Sequence, residues 1–150
     1  IGMNVLFTDK FVGKTQIDLN LAFDKKISFD LESSDMTDLL KNSDFVSLHV
    51  PAQKSYVIGK NEFNLMKTGA GLINAARGGV VDEKSLIESL DSGKLAFAGV
   101  DTFENEPKPS VKLLMHPKVS LTPHIGAATI EAQDRIGIEL ANQIMKLVKD

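Results

Sequence analysis

Short, nearly continuous apolar runs constrain the fold of this chain more than any other feature. The clearest are 45–50, 72–76, 95–100 and 119–121, and each is bounded by proline, glycine or polar residues. Such runs are typical of parallel strands that are buried on both faces of a sheet. A parallel sheet needs a long crossover after each strand, so the segments between the runs should contain helices.

The intervening segments do carry helix signals. Three short helices are predicted. The first has its N-cap at Ser34 or Asp35, the second begins at Asn61 and ends at Gly69, and the third begins at Asp82 and ends at Gly93. A long helix is predicted from about Thr129, with an apolar stripe of Ile136, Leu140, Ile144 and Leu147 or Val148. We therefore predict an α/β fold, a Rossmann-like parallel sheet with helices on both faces.

The residues before position 45 fit this pattern less well. Runs 4–9 and 26–29 are two further strand candidates, and the first ends in Asp9. The chain passes from Ile1-Gly2-Met3 directly into a strand pattern, with no helix start before it. We expect the first βα unit of the fold to be missing, as if the chain were part of a longer one.

Composition argues against several classes of function. The net charge is −3, and lysine and arginine are spread along the 150 residues, so no nucleic-acid-binding surface is expected. No apolar run is long enough to span a membrane. The sequence has no cysteine and its three histidines lack ligand spacing, so we predict no metal site. The absence of cysteine also fits a cytoplasmic protein.

Three predicted strand ends are followed by chemically distinctive side chains, Arg77, Glu106 and His124. The carboxyl ends of parallel strands share one edge of the sheet, where ligands bind. A guanidinium can hold a carboxylate bidentately, and an imidazole can transfer a proton to or from an oxygen at carbon 2. A carboxylate on the other ring nitrogen orients the imidazole and favours its charged form. This set predicts chemistry on a 2-hydroxy or 2-keto acid.

Such a reaction moves a hydride, which no side chain can donate, so a cofactor must supply it. Asp9 at a strand end suits the ribose hydroxyls of NAD and would repel the extra phosphate of NADP. Each of these residues also has an ordinary alternative. Arg77 could be a surface arginine in a glycine turn, Glu106 a loop acid, His124 a turn cap and Asp9 a solvated strand terminus.

Three ordered segments, 74–82, 99–107 and 122–126, resemble the signature segments of the D-isomer-specific 2-hydroxyacid dehydrogenases. By that resemblance Arg77 binds the substrate carboxylate, His124 is the acid/base and Glu106 pairs with His124. The cofactor is NAD, and the resemblance implies a binding set of Asp9, His49, Val50, Pro51, Ala75, Arg77, Asp101, His124 and Gly126.

The resemblance also implies a domain organisation. Residues 1–127 would form a partial NAD-binding domain and 128–150 a helix leading toward a substrate domain, in a homodimer. Segment 126–133 is most similar to the D-3-phosphoglycerate dehydrogenase branch, which implies a role in serine biosynthesis. The family's G-x-G-x-x-G phosphate loop does not occur in the sequence, and 69–71 is no substitute because it precedes a strand.

Two other functions remain open at this level. The chain could be a non-catalytic NAD-sensing regulator or interaction module on the same fold. It could also serve only as a packing or dimerisation unit. Without the phosphate loop, we expect the 150-residue chain alone to be inactive.

Overall fold

The computed structural model describes residues 2–22 and 25–149. Its main element is a four-stranded parallel sheet whose strands lie side by side in chain order. The strands are β3 (Phe45–Leu48), β4 (Ala70–Asn74), β5 (Leu95–Val100) and β6 (Val119–Leu121). The Rossmann-like parallel sheet predicted from the apolar runs is confirmed.

The helices of the described residues are α1 (Met36–Asn42), α2 (Lys60–Leu65), α3 (Glu83–Asp91), α4 (Val111–Leu114) and α5 (Ile130–Lys149). Helix α1 precedes β3, α2 to α4 connect successive strands, and α5 follows β6. The caps predicted at Asp35 and Asp82 are confirmed, since the Asp35 carboxylate accepts from Thr37 N and the Asp82 carboxylate accepts from Lys84 N and Ser85 N. The cap predicted at Asn61 is wrong. The cap of α2 is Gly59, whose N–H donates to the Glu62 side chain, and Asn61 lies inside the helix.

The hydrophobic core lies on one face of the sheet. Alternate strand residues, including Val46, Leu72 and Ala98, are buried against the helices. The helices contribute Leu40 from α1, Phe63 from α2, Leu86 and Leu90 from α3 and Leu113 from α4. Burial of these apolar side chains is the main force that holds the helices on the sheet.

The opposite face is open within the described residues. Phe45, Gly71 and Phe97 lie side by side on neighbouring strands, and the two phenylalanine rings are 6.0 Å apart. Phe45 is 60% exposed and Ile73, in the next row, 39%. Of the two helical layers that we predicted, the described residues therefore supply one. The apolar stripe of α5 is likewise exposed.

The amino-terminal part differs from the prediction. Residues 4–9 form no strand, and their only pairing is a single bridge from Phe7 to Ser33. Run 26–29 belongs to a longer strand, β2 (Lys26–Glu32), which pairs antiparallel with an unpredicted strand, β1 (Lys14–Asn20). Cross-strand polar pairs such as Lys26 with Asp18, 2.8 Å apart, line one face of this hairpin. Of the two further strand candidates, the first is therefore not a strand and the second belongs to an antiparallel pair.

None of the helices in 2–22 and 25–149 combines the length and apolarity needed to cross a bilayer.

Candidate active site

The carboxyl ends of the four parallel strands lie at one edge of the sheet. Arg77 follows β4, Glu106 follows β5 and His124 follows β6, and these strands are adjacent. β3 and β4 both end two residues earlier than predicted, so residues 49–51 and 75–77 belong to loops. The topology brings the predicted residues to a common edge.

His124 and Glu106 form a hydrogen-bonded pair. The His124 Nδ1 is 2.9 Å from Glu106 Oε2 and 3.1 Å from Oε1. The two side chains are 43% and 38% exposed, so a small molecule can reach them. Nδ1 is hydrogen-bonded to the carboxylate, whereas Nε2 makes no hydrogen bond within the described part of the chain. This arrangement leaves Nε2 as the nitrogen that could exchange a proton with a substrate.

A backbone donor also acts on Glu106. The Phe103 N–H donates to Glu106 Oε1 at 2.9 Å. This bond, followed by the bond with His124, lowers the pKa of Glu106 below its ordinary value. Glu106 is therefore a carboxylate at neutral pH, and it can only accept a hydrogen bond from the imidazole. An ionised partner of this kind fixes the orientation of the imidazole ring.

The backbone of His124 is held in an unusual conformation. Its φ is +55°, in the left-handed region that costs a non-glycine residue about 1–2 kcal/mol. Asp101 holds the residues on both sides of it. Its carboxylate accepts from Thr122 Oγ1 at 2.5 Å, from Ile125 N at 2.9 Å and from Gly126 N at 2.8 Å. We call this arrangement the Asp101 clasp.

The Asp101 side chain is buried, with 6% of its surface exposed. Burial alone would raise the pKa of Asp101, but the three clasp bonds outweigh it and the pKa is lowered. Asp101 is therefore an ionised acceptor that fixes the 122–126 loop. Both its oxygens are engaged in this task, so support of His124 is the role that the geometry gives it.

Arg77 follows a turn built on Asn74, which is 4% exposed. The Asn74 amide accepts from Ala76 N and donates to Arg77 O, each at 3.2 Å. The Arg77 guanidinium donates to its neighbour's carbonyl, Ala76 O, at 2.6 Å, and its side chain is exposed at the edge. Five N–H donors on the guanidinium leave capacity for a bound carboxylate.

Gly78 allows the Arg77 turn to approach the Glu106 loop. A Cβ at this position would lie 1.9 Å from Phe103 O, closer than any two such atoms can approach. The Arg77 turn therefore packs backbone against backbone on the segment whose N–H orients Glu106. This contact couples the position of Arg77 to that of Glu106.

The predicted cofactor residues differ in their surroundings. Pro51 and Ala75 are exposed in the loops after β3 and β4, as a flat ring stacking there would require, and Val50 is half-buried. His49 Nε2 is 3.0 Å from Ser47 Oγ. A Cβ on Gly126 would be 3.0 Å from the Asp101 carboxylate, so the clasp needs a small residue at this position.

Asp9 is not at a strand end as predicted. Its Oδ1 accepts from Phe11 N at 2.7 Å and Val12 N at 2.9 Å, which places it at the start of a turn. The other carboxylate oxygen accepts no hydrogen bond within the described residues. That oxygen could accept from a ribose hydroxyl, whereas the sequence supplies no glycine-rich turn for a pyrophosphate.

Sequence reasoning missed the supporting residues Asn74, Gly78 and Thr122. Asn74 carries a usable signal, because a polar residue at the last position of a buried strand usually has a specific partner. Gly78 and Thr122 depend on contacts with distant loops, and no local pattern shows them. Among the described residues, no group of three or more His, Asp or Glu side chains is arranged to hold a metal ion.

Residues 1–126 match the family described as D-isomer specific 2-hydroxyacid dehydrogenase, NAD binding domain. The chain is 47% identical over 121 residues to a hydroxypyruvate reductase of Thermotoga maritima, covering 77% of this chain and 40% of that protein. It is 40% identical over 150 residues to a D-3-phosphoglycerate dehydrogenase of Archaeoglobus fulgidus, covering 98% and 27%. A glyoxylate reductase structure from Paecilomyes thermophila superposes with a TM-score of 0.70 at 35% identity, covering 80% and 37%. The chain spans less than half the length of these proteins.

Proposed function

Because the chain belongs to the D-isomer-specific 2-hydroxyacid dehydrogenase family, as its NAD-binding domain, we propose that it is the cofactor-binding part of an NAD-dependent dehydrogenase. The reaction would interconvert a D-2-hydroxy acid and a 2-keto acid. The observation that carries the proposal is the His124–Glu106 pair, at the same sheet edge as Arg77.

Each residue has a defined task in the proposed reaction. Arg77 would bind the substrate carboxylate through its guanidinium, which matches the two carboxylate oxygens. His124 would hold a proton at Nε2 and deliver it to the carbon-2 oxygen during reduction, or accept it during oxidation. Glu106 would keep the ring oriented and stabilise its charged form. NAD, when bound, supplies or accepts the hydride.

The proposed cofactor contacts follow the same edge. Pro51, with Val50 and His49, would flank the adenine side, and Asp9 would accept from the ribose hydroxyls. Ala75, Arg77, Asp101, His124 and Gly126 would surround the nicotinamide side. For Asp101 this contact would come in addition to the clasp.

The substrate and the assembly belong to the proposal as well. D-3-phosphoglycerate, and with it a role in serine biosynthesis, is supported by the similarity to the Archaeoglobus protein over 98% of this chain. The names of the other relatives make hydroxypyruvate and glyoxylate the competing substrates. We further propose a homodimer in the cytoplasm, with residues 1–127 in the cofactor domain and 128–150 leading to a substrate domain.

The test is a substrate panel with the full-length protein. NADH oxidation should depend on a 2-keto acid, and the product should be the D enantiomer. Phosphohydroxypyruvate, hydroxypyruvate and glyoxylate are compared by kcat/KM, and preference for the first supports the phosphoglycerate assignment. The panel also includes pyruvate and 4-methyl-2-oxopentanoate, which the names of further relatives suggest. A protein that binds NADH but reduces no 2-keto acid of the panel would support the NAD-sensing regulator instead.

A further inference from the structure

Two glutamates outside the proposed catalytic set bond to each other's backbone. The Glu83 N–H donates to Glu104 Oε1 at 2.9 Å, and the Glu104 N–H donates to Glu83 Oε1 at 2.8 Å. The residues are 21 positions apart, so this reciprocal pair joins two distant segments. We call it the glutamate brace.

The brace completes the cap of α3. The Asp82 carboxylate accepts from Lys84 N and Ser85 N, which leaves the N–H of Glu83, the first residue of the helix, without a partner in its own turn. Glu104 supplies that partner from the loop after β5. The brace therefore attaches the loop after β5 to the first turn of the helix α3.

The brace has an electrostatic cost, because it places two negatively charged side chains in one partly buried site. It is therefore more than an incidental surface contact. Glu83 is 7% exposed, and burial raises its pKa. The negative charge of Glu104 adds to this rise, while the hydrogen bond from the Glu104 N–H opposes it. The Glu104 charge is also the main cause of a raised pKa of Tyr56. The two negative charges repel each other, so the reciprocal backbone hydrogen bonds must offset this repulsion.

The two braced segments are those that carry the proposed catalytic residues. Glu83 lies six positions after Arg77, and the chain between them runs directly from the Arg77 turn into α3. Glu104 lies two positions before Glu106 and follows Phe103, whose N–H orients the Glu106 carboxylate. The brace therefore connects the Arg77 segment and the Glu106 segment through one pair of hydrogen bonds.

We propose that Glu83 and Glu104 are positioning residues that set the Glu106 carboxylate against His124 and fix its distance from Arg77. The inference rests on the proposed function for its catalytic consequence, but the geometry can be tested without any turnover. Misplacement of reacting groups by about 1 Å can cost about 10²-fold in rate, so a brace at this position matters to the reaction.

The first measurement is the pKa of the Glu106 carboxyl in the full-length protein, followed by ¹³C NMR in the absence of substrate. Every Glu104 variant keeps the bond from Glu104 N–H to Glu83 Oε1, so the double variant Glu83→Ala/Glu104→Ala is measured beside Glu104→Ala. In both proteins the Phe103 N–H should lose its fixed direction, more so in the double variant, and the pKa of Glu106 should rise toward that of an ordinary glutamate. Removal of a nearby negative charge would by itself lower that pKa, so the sign separates the brace from a charge effect. His124 and Asp101 are the other charged groups that act on Glu106, and both stay in place in every variant.

Two substitutions of Glu104 keep the test informative if the alanine variant does not fold. Glu104→Gln retains an oxygen that can accept from Glu83 N and should preserve the lowered pKa of Glu106. Glu104→Asp retains the charge but is one methylene too short, and should behave like the alanine variant. The matched control is Asp82→Ala, which removes the other cap of α3 and should lower Tm without moving the pKa of Glu106.

The second measurement is kcat with a 2-keto acid and NADH, which should fall roughly tenfold in Glu104→Asp and recover in Glu104→Gln. An unchanged pKa of Glu106 in Glu104→Ala, Glu104→Asp and the double variant, or an equal change in Asp82→Ala, would overturn the positioning role. Absence of turnover in the wild-type protein would reject the proposed function alone, because the NMR result stands apart from it.

Discussion

At the scale of single residues, the supported position of His124 is the main finding. The sequence predicted His124 and its partner Glu106, since both residue types belong to one chemistry at neighbouring strand ends. It could not predict the left-handed backbone of His124 or the clasp, because these depend on Asp101 being buried beside residues 21 to 25 positions away. The clasp shows how a loop with a strained residue is held by charge-assisted hydrogen bonds.

A pair of threonines tests the clasp. Thr122→Val removes a hydrogen bond to an ionised acceptor and should cost about 1.5–3 kcal/mol in the free energy of unfolding. Thr102→Val is the matched control, because the Thr102 hydroxyl is buried without a hydrogen-bond partner in the described structure. That change should be neutral or stabilising. Urea denaturation measures the free energy of unfolding of both variants. Equal losses of that free energy in the two variants would contradict the clasp.

The lowered pKa of Glu106 predicts a pH dependence of stability. A carboxyl whose folded pKa lies below its unfolded value, about 4.3, stabilises the fold above that pH. The contribution disappears as pH falls through the folded pKa. The difference in Tm between wild type and Glu106→Gln should therefore be largest near neutrality and shrink in acid. A difference that is constant down to low pH would contradict an ionised, hydrogen-bonded Glu106.

At the scale of secondary-structure elements, sequence patterns reveal local features but not contacts between residues that are far apart in the chain. β5, β6 and the Asp82 cap were predicted correctly, because apolar runs and caps are local signals. The β1–β2 hairpin and α4 were missed. Pairing of β1 depends on cross-strand partners, and α4 has only four residues. The contact between the Arg77 turn and the Glu106 loop was not predicted either, because it joins residues that are far apart in the sequence.

Two glycine substitutions test that contact. Gly78→Ala forces a Cβ into Phe103 O and should destabilise the fold by about 1–3 kcal/mol. Gly137→Ala, inside α5 and with open space around its Cβ position, should stabilise by about 0.5–1 kcal/mol. Thermal denaturation should therefore show a lower Tm for Gly78→Ala and a higher Tm for Gly137→Ala than for the wild type. A Gly78→Ala protein as stable as wild type would mean that the two loops are not in close contact.

At the scale of the whole molecule, apolar surface is distributed unequally. One face of the sheet carries the core, whereas Phe45, Ile73 and Phe97 on the other face are at least 39% exposed. The hairpin and α5 add further exposed apolar side chains, among them Phe29 and Leu140. Exposed apolar side chains that lie side by side, as Phe45 and Phe97 do on the open sheet face, are typical of surfaces that bind other protein.

We therefore expect the purified 150-residue chain to self-associate as its concentration rises. Phe45→Lys places a charge on the open sheet face and should shift the equilibrium toward monomer. Val111→Lys is the control, since Val111 is 72% exposed on α4, away from that face. Sedimentation velocity over a concentration series measures the effect. A wild-type chain that stays monomeric throughout would show that the open face does not drive association.

The proton-transfer role of His124 is the central claim, and one comparison in the full-length protein tests it most directly. His124→Asn removes the imidazole while keeping a residue type that tolerates the left-handed backbone. The measurement is kcat/KM for 2-keto acid reduction, alongside the NADH affinity of each protein by fluorescence titration. We predict a loss of about 10²–10⁴-fold in kcat/KM with little change in NADH binding. Equal turnover by wild type and His124→Asn would contradict the account.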